Sequence, residues 1–256
     1  MIMTAFGNML WRDIWVAMRD WSGFLAQTLL QPVFFLFIFG NVLPRLGQAS
    51  GSYSRLLLPG IIGLTTLLTA MQSVALPLAI EFGYTKEIED RLLSPLPVRM
   101  VAFQKMVFGV LRGLLAGALI IPLGRIILGS GFAVSTEHLP LLILVSILGS
   151  FGGAGVGLTL CTAFQPQQIG LMFSLVLTPL LFTGCVYYPW AQLEHLRWFQ
   201  VVTCFSPLTY TSEGFRASLV PEAPHMPVPF IIFGQIAFIF FFGFVGMRGF
   251  LRKALD

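Results

Sequence analysis

Charge is scarce in this chain. Only 10% of its 256 residues are Asp, Glu, Lys or Arg, where a soluble domain carries about a quarter. That shortage argues against a fold surrounded by water. Nucleotide and metalloprotease signatures are missing as well. There is no G-x-x-x-x-G-K-[ST] to cradle phosphates and no H-E-x-x-H. The apolar runs hold almost no carboxylates, with Glu81 at a boundary. Proton-coupled carriers place ionisable groups within the membrane, so a proton-driven engine finds little support. Although the net charge is +4, no basic cluster is dense enough to track a nucleic-acid backbone. Cysteines number three. Cys161 lies in an apolar run, where a thiol acts as a small hydrophobe. Cys185 and Cys204 fall near the same predicted membrane face, but spacing alone fixes no pairing, and free thiols are expected. The N-terminus does not read as a cleaved signal peptide, because Asp13 and Asp20 interrupt a basic start and no small-x-small site follows. Neither an internal repeat nor a low-complexity tract is visible.

What is present is apolar length. The chain is 56% hydrophobic with 25 Phe and 26 Gly, and its mean hydropathy is +0.85. A membrane helix needs about 20 apolar residues. Six segments qualify, near 23–42, 56–80, 106–127, 139–164, 169–188 and 229–247. The expected fold is an all-α membrane protein with six transmembrane helices in one domain over 1–256. With the N-terminus inside, Arg12, Arg19, Lys86, Arg91, Arg99, Lys105, Arg248, Arg252 and Lys253 fall on the cytoplasmic side. Arg45, Arg55, Arg125, Arg197 and Arg216 fall outside. This excess of basic residues places both termini in the cytoplasm.

Residues 4–21 form a separate element. At 100° per residue, Phe6, Leu10, Trp11, Ile14, Trp15, Met18 and Trp21 share one arc. Asn8, Arg12, Asp13, Arg19 and Asp20 share the opposite one. Such a helix lies in the membrane surface, with its indoles at the headgroups; an amphipathic helix packed on a partner protein has the same pattern. Spans three and four carry Gly109, Gly113, Gly117 and Gly149, Gly153, Gly157, a four-residue spacing that lets helices approach closely. The segment 189–228, rich in aromatics and proline, is expected to form short helices dipping back into the outer membrane boundary. Backbone at that depth must be shielded by protein or face a cavity.

Seven of the 26 formal charges lie between Glu81 and Arg99. Thr85 suits the N-cap of a helix over 86–93, and Pro95 and Pro97 stop it. A short charged helix between two spans must meet water or another protein. Arg112 is the one clear charge inside a span. Either it contacts an anionic headgroup of a substrate, or it snorkels or pairs with a carboxylate such as Glu81; the second role is the plainer. His138, His195 and His225 lie near Glu137, Glu194 and Glu222 but match no metal-ligand spacing, and no metal is expected.

Four stretches together resemble the membrane subunit of ATP-binding-cassette exporters, in the type-two permease family. They are LLLPGIIGLTTLLTAMQS, KEIEDRLLSPLPVRMVAFQK, LTPLLFTGCVYYP and SPLTYTSEGFRASL. Family members often begin the last with Asn-Pro, where this chain has Ser206. The resemblance implies a multi-pass inner-membrane permease that is not itself an enzyme. It implies two permease copies paired with two ATP-binding subunits, which bind the ATP and Mg. Residues 85–93 would be the coupling helix, contacting the ATPase through Lys86, Glu87, Glu89, Asp90, Arg91, Leu92 and Leu93. Residues 4–21 would be the interfacial connecting helix, with re-entrant helices before the last span. The substrate expected is hydrophobic or amphipathic, such as a drug, lipid, glycolipid or polyketide. A stand-alone secondary transporter or channel is the alternative, and it requires ionisable groups or broken helices within the spans.

Overall fold

The computed structural model describes residues 2–46, 51–86, 88, 96–128 and 138–255. Regular structure among them is helical throughout. The first helix, α1 (Ile2–Arg19), meets α2 (Trp21–Phe37) at an elbow where an Asp20 carboxylate oxygen accepts the Gly23 N–H at 3.3 Å. This cap answers one of the orphan donors of a helix start. From α2 the chain runs through a wider turn over Ile38–Val42 to Arg45. Then come α3 (Gly51–Ile80), extended by a wide turn over Glu81–Thr85, α4 (Val98–Leu128) and α5 (Leu139–Ala163). The rest is shorter except at the end: α6 (Ile169–Thr183), α7 (Arg197–Thr203), α8 (Pro207–Leu219) and the long α9 (Val228–Leu255).

Five helical runs among the described residues are long and apolar enough to cross a membrane: Trp21–Arg45, Arg55–Thr85, Val98–Leu128, Leu139–Ala163 and Val228–Ala254. The expected span at 169–188 is not of that length. Its helix α6 has 15 residues, about 22 Å at 1.5 Å each, against about 30 Å of hydrocarbon. The helix stops because Gly184 and Cys185 turn inward, Cys185 in the left-handed region at φ 50°. Thr85, expected to start a helix, instead ends the turn that extends α3, and Lys86 follows in the left-handed region at φ 53°.

Helix α3 is the hub. Of its most apolar stretch, 83% is buried, against 22% for the α2 run and 17% for α9. Five of the six glycines in the two rows face this hub. A Cβ at Gly153 or Gly157 would stand 2.3 Å from the Leu67 carbonyl oxygen or 2.4 Å from that of Met71. On another face of α3, Gly109 and Gly113 approach the carbonyls of Ala70 and Thr66, and Gly117 faces the Thr66 hydroxyl. Gly149 meets the Thr211 side chain of α8. Small residues thus let α4 and α5 touch the α3 backbone, where dispersion contacts hold helices together in lipid.

One end of the bundle gathers both termini. Ala5 and Phe6 of α1, Phe82 beyond α3 and Phe250 and Ala254 of α9 share one apolar cluster, with Phe82 and Phe250 edge to face at 5.5 Å. Lys253 Nζ donates to the Cys161 and Phe164 carbonyls at 2.9 and 3.2 Å, closing the C-terminus of α5 with a cation.

Candidate functional site

The charged segment leaves α3 and re-enters at α4, and its two roots are fastened together. Lys105 Nζ of α4 lies 2.6 Å from Glu81 Oε1 and 3.2 Å from Asp13 Oδ2 of α1. Gln104 Nε2 donates to Asp13 Oδ2 at 3.1 Å, and Arg12 Nε stands 3.8 Å from Asp13 Oδ1. Asp13, Glu81, Gln104 and Lys105 are all buried. Ion pairs removed from water gain Coulomb strength but suffer if one partner is lost. Three elements are locked in this way: α1 and both helices that carry the segment. Lys86 itself is exposed, while Ile88 is buried in the apolar cluster that holds Phe82 and Phe250. Glu87, Glu89, Asp90, Arg91, Leu92 and Leu93 lie outside the described residues.

A second polar cluster occupies the far half. All 13 residues of α8 are buried, and the helix packs among α3, α5 and α9. Its side chains finish what α6 leaves open. A helix ends with unpaired carbonyls. Thr209 Oγ1 donates to the Thr183 carbonyl at 2.8 Å and Ser212 Oγ to that of Gly184. Arg216 Nη2 donates to the Cys185 carbonyl at 3.0 Å and reaches those of Val186 and Leu56 at 3.5 Å. Glu213 pairs with Arg216 and accepts the Trp190 and Met226 N–H groups at 2.9 and 2.8 Å. Residues 209, 212, 213 and 216 recur at helical spacing, so one face of α8 holds the whole set. Burial, with the Glu213 charge adding, pushes the Cys185 thiol up to about 12. Cys161, Cys185 and Cys204 are free. Among the described residues no group of three His, Cys, Asp or Glu is placed to hold a metal.

Between α2 and α3 runs a narrow groove of about 80 Å³ lined by uncharged polar groups. Gln27, Thr28 and Gln31 come from α2; Thr65, Thr69 and Gln72 come from α3. Gln27 Nε2 donates to Gln72 Oε1 at 3.4 Å, and the Thr65 hydroxyl returns to the Ile61 carbonyl at 2.8 Å. Amides and hydroxyls on membrane helices usually face the protein or a water-filled path. Arg112 stands at the groove's lower end beside Gln27 and Gln72. It does not pair with Glu81, which Lys105 holds; its guanidinium carbon sits 4.4 Å from the Phe24 ring centroid and 5.7 Å from that of Phe108.

The comparisons give this arrangement a family. The model of the ABC-2 type transporter matches residues 4–220, from α1 through α8. The chain belongs to the ABC-2 type transporter family. It is 28% identical over 216 residues to the inner membrane transport permease YadH of Escherichia coli K12, covering 80% of this chain and 78% of that protein. It is 27% identical over 210 residues to Ycf38 of Cyanophora paradoxa, a proposed transport permease, covering 75% of this chain and 66% of that protein. The chain is a multi-pass membrane permease, and ABC-2 permeases work with an ATP-binding subunit.

The sequence counts Lys105 among the cytoplasmic basic residues and Arg216 among the outer ones, and puts Asp13 on the polar arc of α1; all three are buried. The groove residues had no assigned role. Thr65, Thr69 and Gln72 lie on one helical face, as do Gln27, Thr28 and Gln31, so a polar stripe was there to find.

Proposed function

We propose that this permease is the gate of an ATP-driven exporter, worked from the cytoplasm through residues 85–93. Two permease copies and two ATP-binding subunits form the assembly, and both termini are cytoplasmic. The cluster of Asp13, Glu81 and Lys105 carries the reading. A push on a segment whose two roots are bound to each other and to α1 moves α1, α3 and α4 as one piece. A rigid root transmits displacement; two loose roots would absorb it. Nucleotide can bias the gate only through differential affinity of the ATPase for its two states.

The groove between α2 and α3 is the substrate path in this reading. Helix α2 is largely uncovered, so it can move against the hub at little packing cost. The groove's amides suit the polar end of an amphipathic cargo, taken from the cytoplasm or inner leaflet. Helices α7 and α8 are the re-entrant pair: α8, at 13 residues, reaches about 20 Å, too short to cross. The inner membrane is the expected location, as for YadH.

The test is charge reversal in the segment. Glu87→Lys with Asp90→Lys leaves the permease folded and membrane-inserted, abolishes co-purification with its ATP-binding subunit and stops transport. Unchanged transport by the double variant sinks the coupling assignment. Cysteine accessibility along 191–216 tests the re-entrant pair, since uniform full exposure is incompatible with it.

A further inference from the structure

A crevice opens where α1, α2 and α4 meet. Its walls are Ile14, Met18, Trp21, Leu111 and Leu115, and its volume is about 220 Å³. The wall residues Met18, Trp21, Leu111 and Leu115 are exposed at 58, 41, 42 and 39%, so the crevice is open to the surroundings. One charged side chain lines it, that of Arg112.

Arg112 has no carboxylate within ion-pair distance among the described residues. The field of Asp20 reaches it, but Asp20 is engaged as the cap of α2. Phe24 and Phe108 cover it with ring faces. Rings attract the cation yet accept none of its five in-plane N–H donors in the way an oxygen does. A half-buried guanidinium faced mainly by rings can still donate its N–H groups to an anion whose oxygens are planar or tetrahedral.

Helix α4 has 31 residues, about 46 Å, well beyond about 30 Å of hydrocarbon. Arg112 is the fifteenth of them, about 21 Å from the start of α4. It sits against Phe24 in the first turn of α2, immediately after the elbow with α1. A long guanidinium side chain at that level can snorkel toward the headgroups beside the elbow.

We propose that this crevice is a binding site for an anionic phospholipid of the inner leaflet, its phosphate on Arg112 and the start of an acyl chain against Met18, Trp21 and Leu115. The site lies beside the lower end of the polar groove, so the lipid seals that groove from the side.

Native mass spectrometry of the purified permease tests this, with phosphatidylglycerol and phosphatidylcholine of identical chains as competing probes. The wild type retains phosphatidylglycerol roughly tenfold better, because the choline cation of phosphatidylcholine offsets its phosphate and repels Arg112. Arg112→Leu abolishes the preference, Arg112→Lys keeps most of it, and Arg125→Leu, removing an exposed cation at the other end of α4, leaves it intact. Phosphatidylglycerol with brominated chains quenches Trp21 emission in the wild type and not in Arg112→Leu, read against Trp21→Phe. If Arg112→Leu does not survive purification, Arg112→Gln replaces it. Equal retention of the two lipids, or an unchanged preference in the leucine or glutamine variant, overturns the site. Transport is not needed for any of these readings, so they stand apart from the exporter assignment.

Discussion

Lys105 Nζ lies 2.6 Å from Glu81 Oε1, across the 23 intervening residues that contain the charged segment. The ammonium also serves Asp13, so one cation holds two buried carboxylates from two other helices. Lys105 stands between them and offsets their mutual repulsion. Lys105→Met should cost about 3–5 kcal/mol, the usual loss when a buried pair is broken from one side. Adding Glu81→Gln should recover part of it by removing one of the two negative charges. Thermal unfolding of the three proteins in detergent reads both. A double variant no more stable than Lys105→Met refutes the repulsion argument.

The two glycines at 152 and 153 predict opposite outcomes on adjacent positions. A Cβ at Gly153 meets the Leu67 backbone oxygen at 2.3 Å, whereas at Gly152 nothing lies within 4 Å. Backbone cannot swing aside as a side chain can. Gly153→Ala should lose about 1–3 kcal/mol through overpacking. Gly152→Ala should be neutral or gain up to about 1 kcal/mol from the lower entropy of the unfolded chain. Melting temperatures measured side by side decide it, and equal losses at both sites would remove the case for close approach to α3.

Thiol chemistry separates the three cysteines. Cys161 and Cys185 are buried, and Cys204 is partly open. With its thiol pushed up to about 12, Cys185 stays protonated through pH 9, so raising the pH supplies no nucleophilic thiolate. N-ethylmaleimide should modify Cys204 first at pH 7.5 and leave Cys185 untouched even at pH 9 until the protein is unfolded. Mass spectrometry of digests reads each site. Rapid labelling of Cys185 in the folded permease contradicts its burial beneath α8.

What could be read from the sequence followed from length and local period. Apolar runs announce spans because hydrocarbon thickness is fixed, and α1 announces itself because its arc is local. The glycine rows were legible as close-packing faces, but spacing cannot say that α3 covers five of the six and α8 the other. Pairings distant along the chain were not legible. Asp13 meets Gln104 across 91 positions, and nothing near either residue marks them as buried. The same holds for the expected sixth span. The run 169–188 carries no charge over its first 15 residues, and what ends the helix is a set of donors 26 to 31 positions later.

Those donors give the sharpest expectation. Arg216 uses a fork: one arm meets Glu213, and the other donates to Cys185 and reaches toward Val186 and Leu56. Lysine keeps the charge but has a single nitrogen on a flexible stem. Arg216→Lys should therefore lose about 1–3 kcal/mol, the cost of leaving a buried carbonyl unpaired. Arg216→Met should lose more, about 3–5 kcal/mol, because Glu213 is then stranded at full burial. Glu213→Gln added to Arg216→Met should return part of that. Unfolding temperature ranks the four proteins, and protease cleavage between Gly184 and Trp190 reports whether the turn has come loose. Were Arg216→Met as stable as the parent, the break after Thr183 would have to be held by Thr209 and Ser212 alone, and α8 would lose its place as the element that permits α6 to be short.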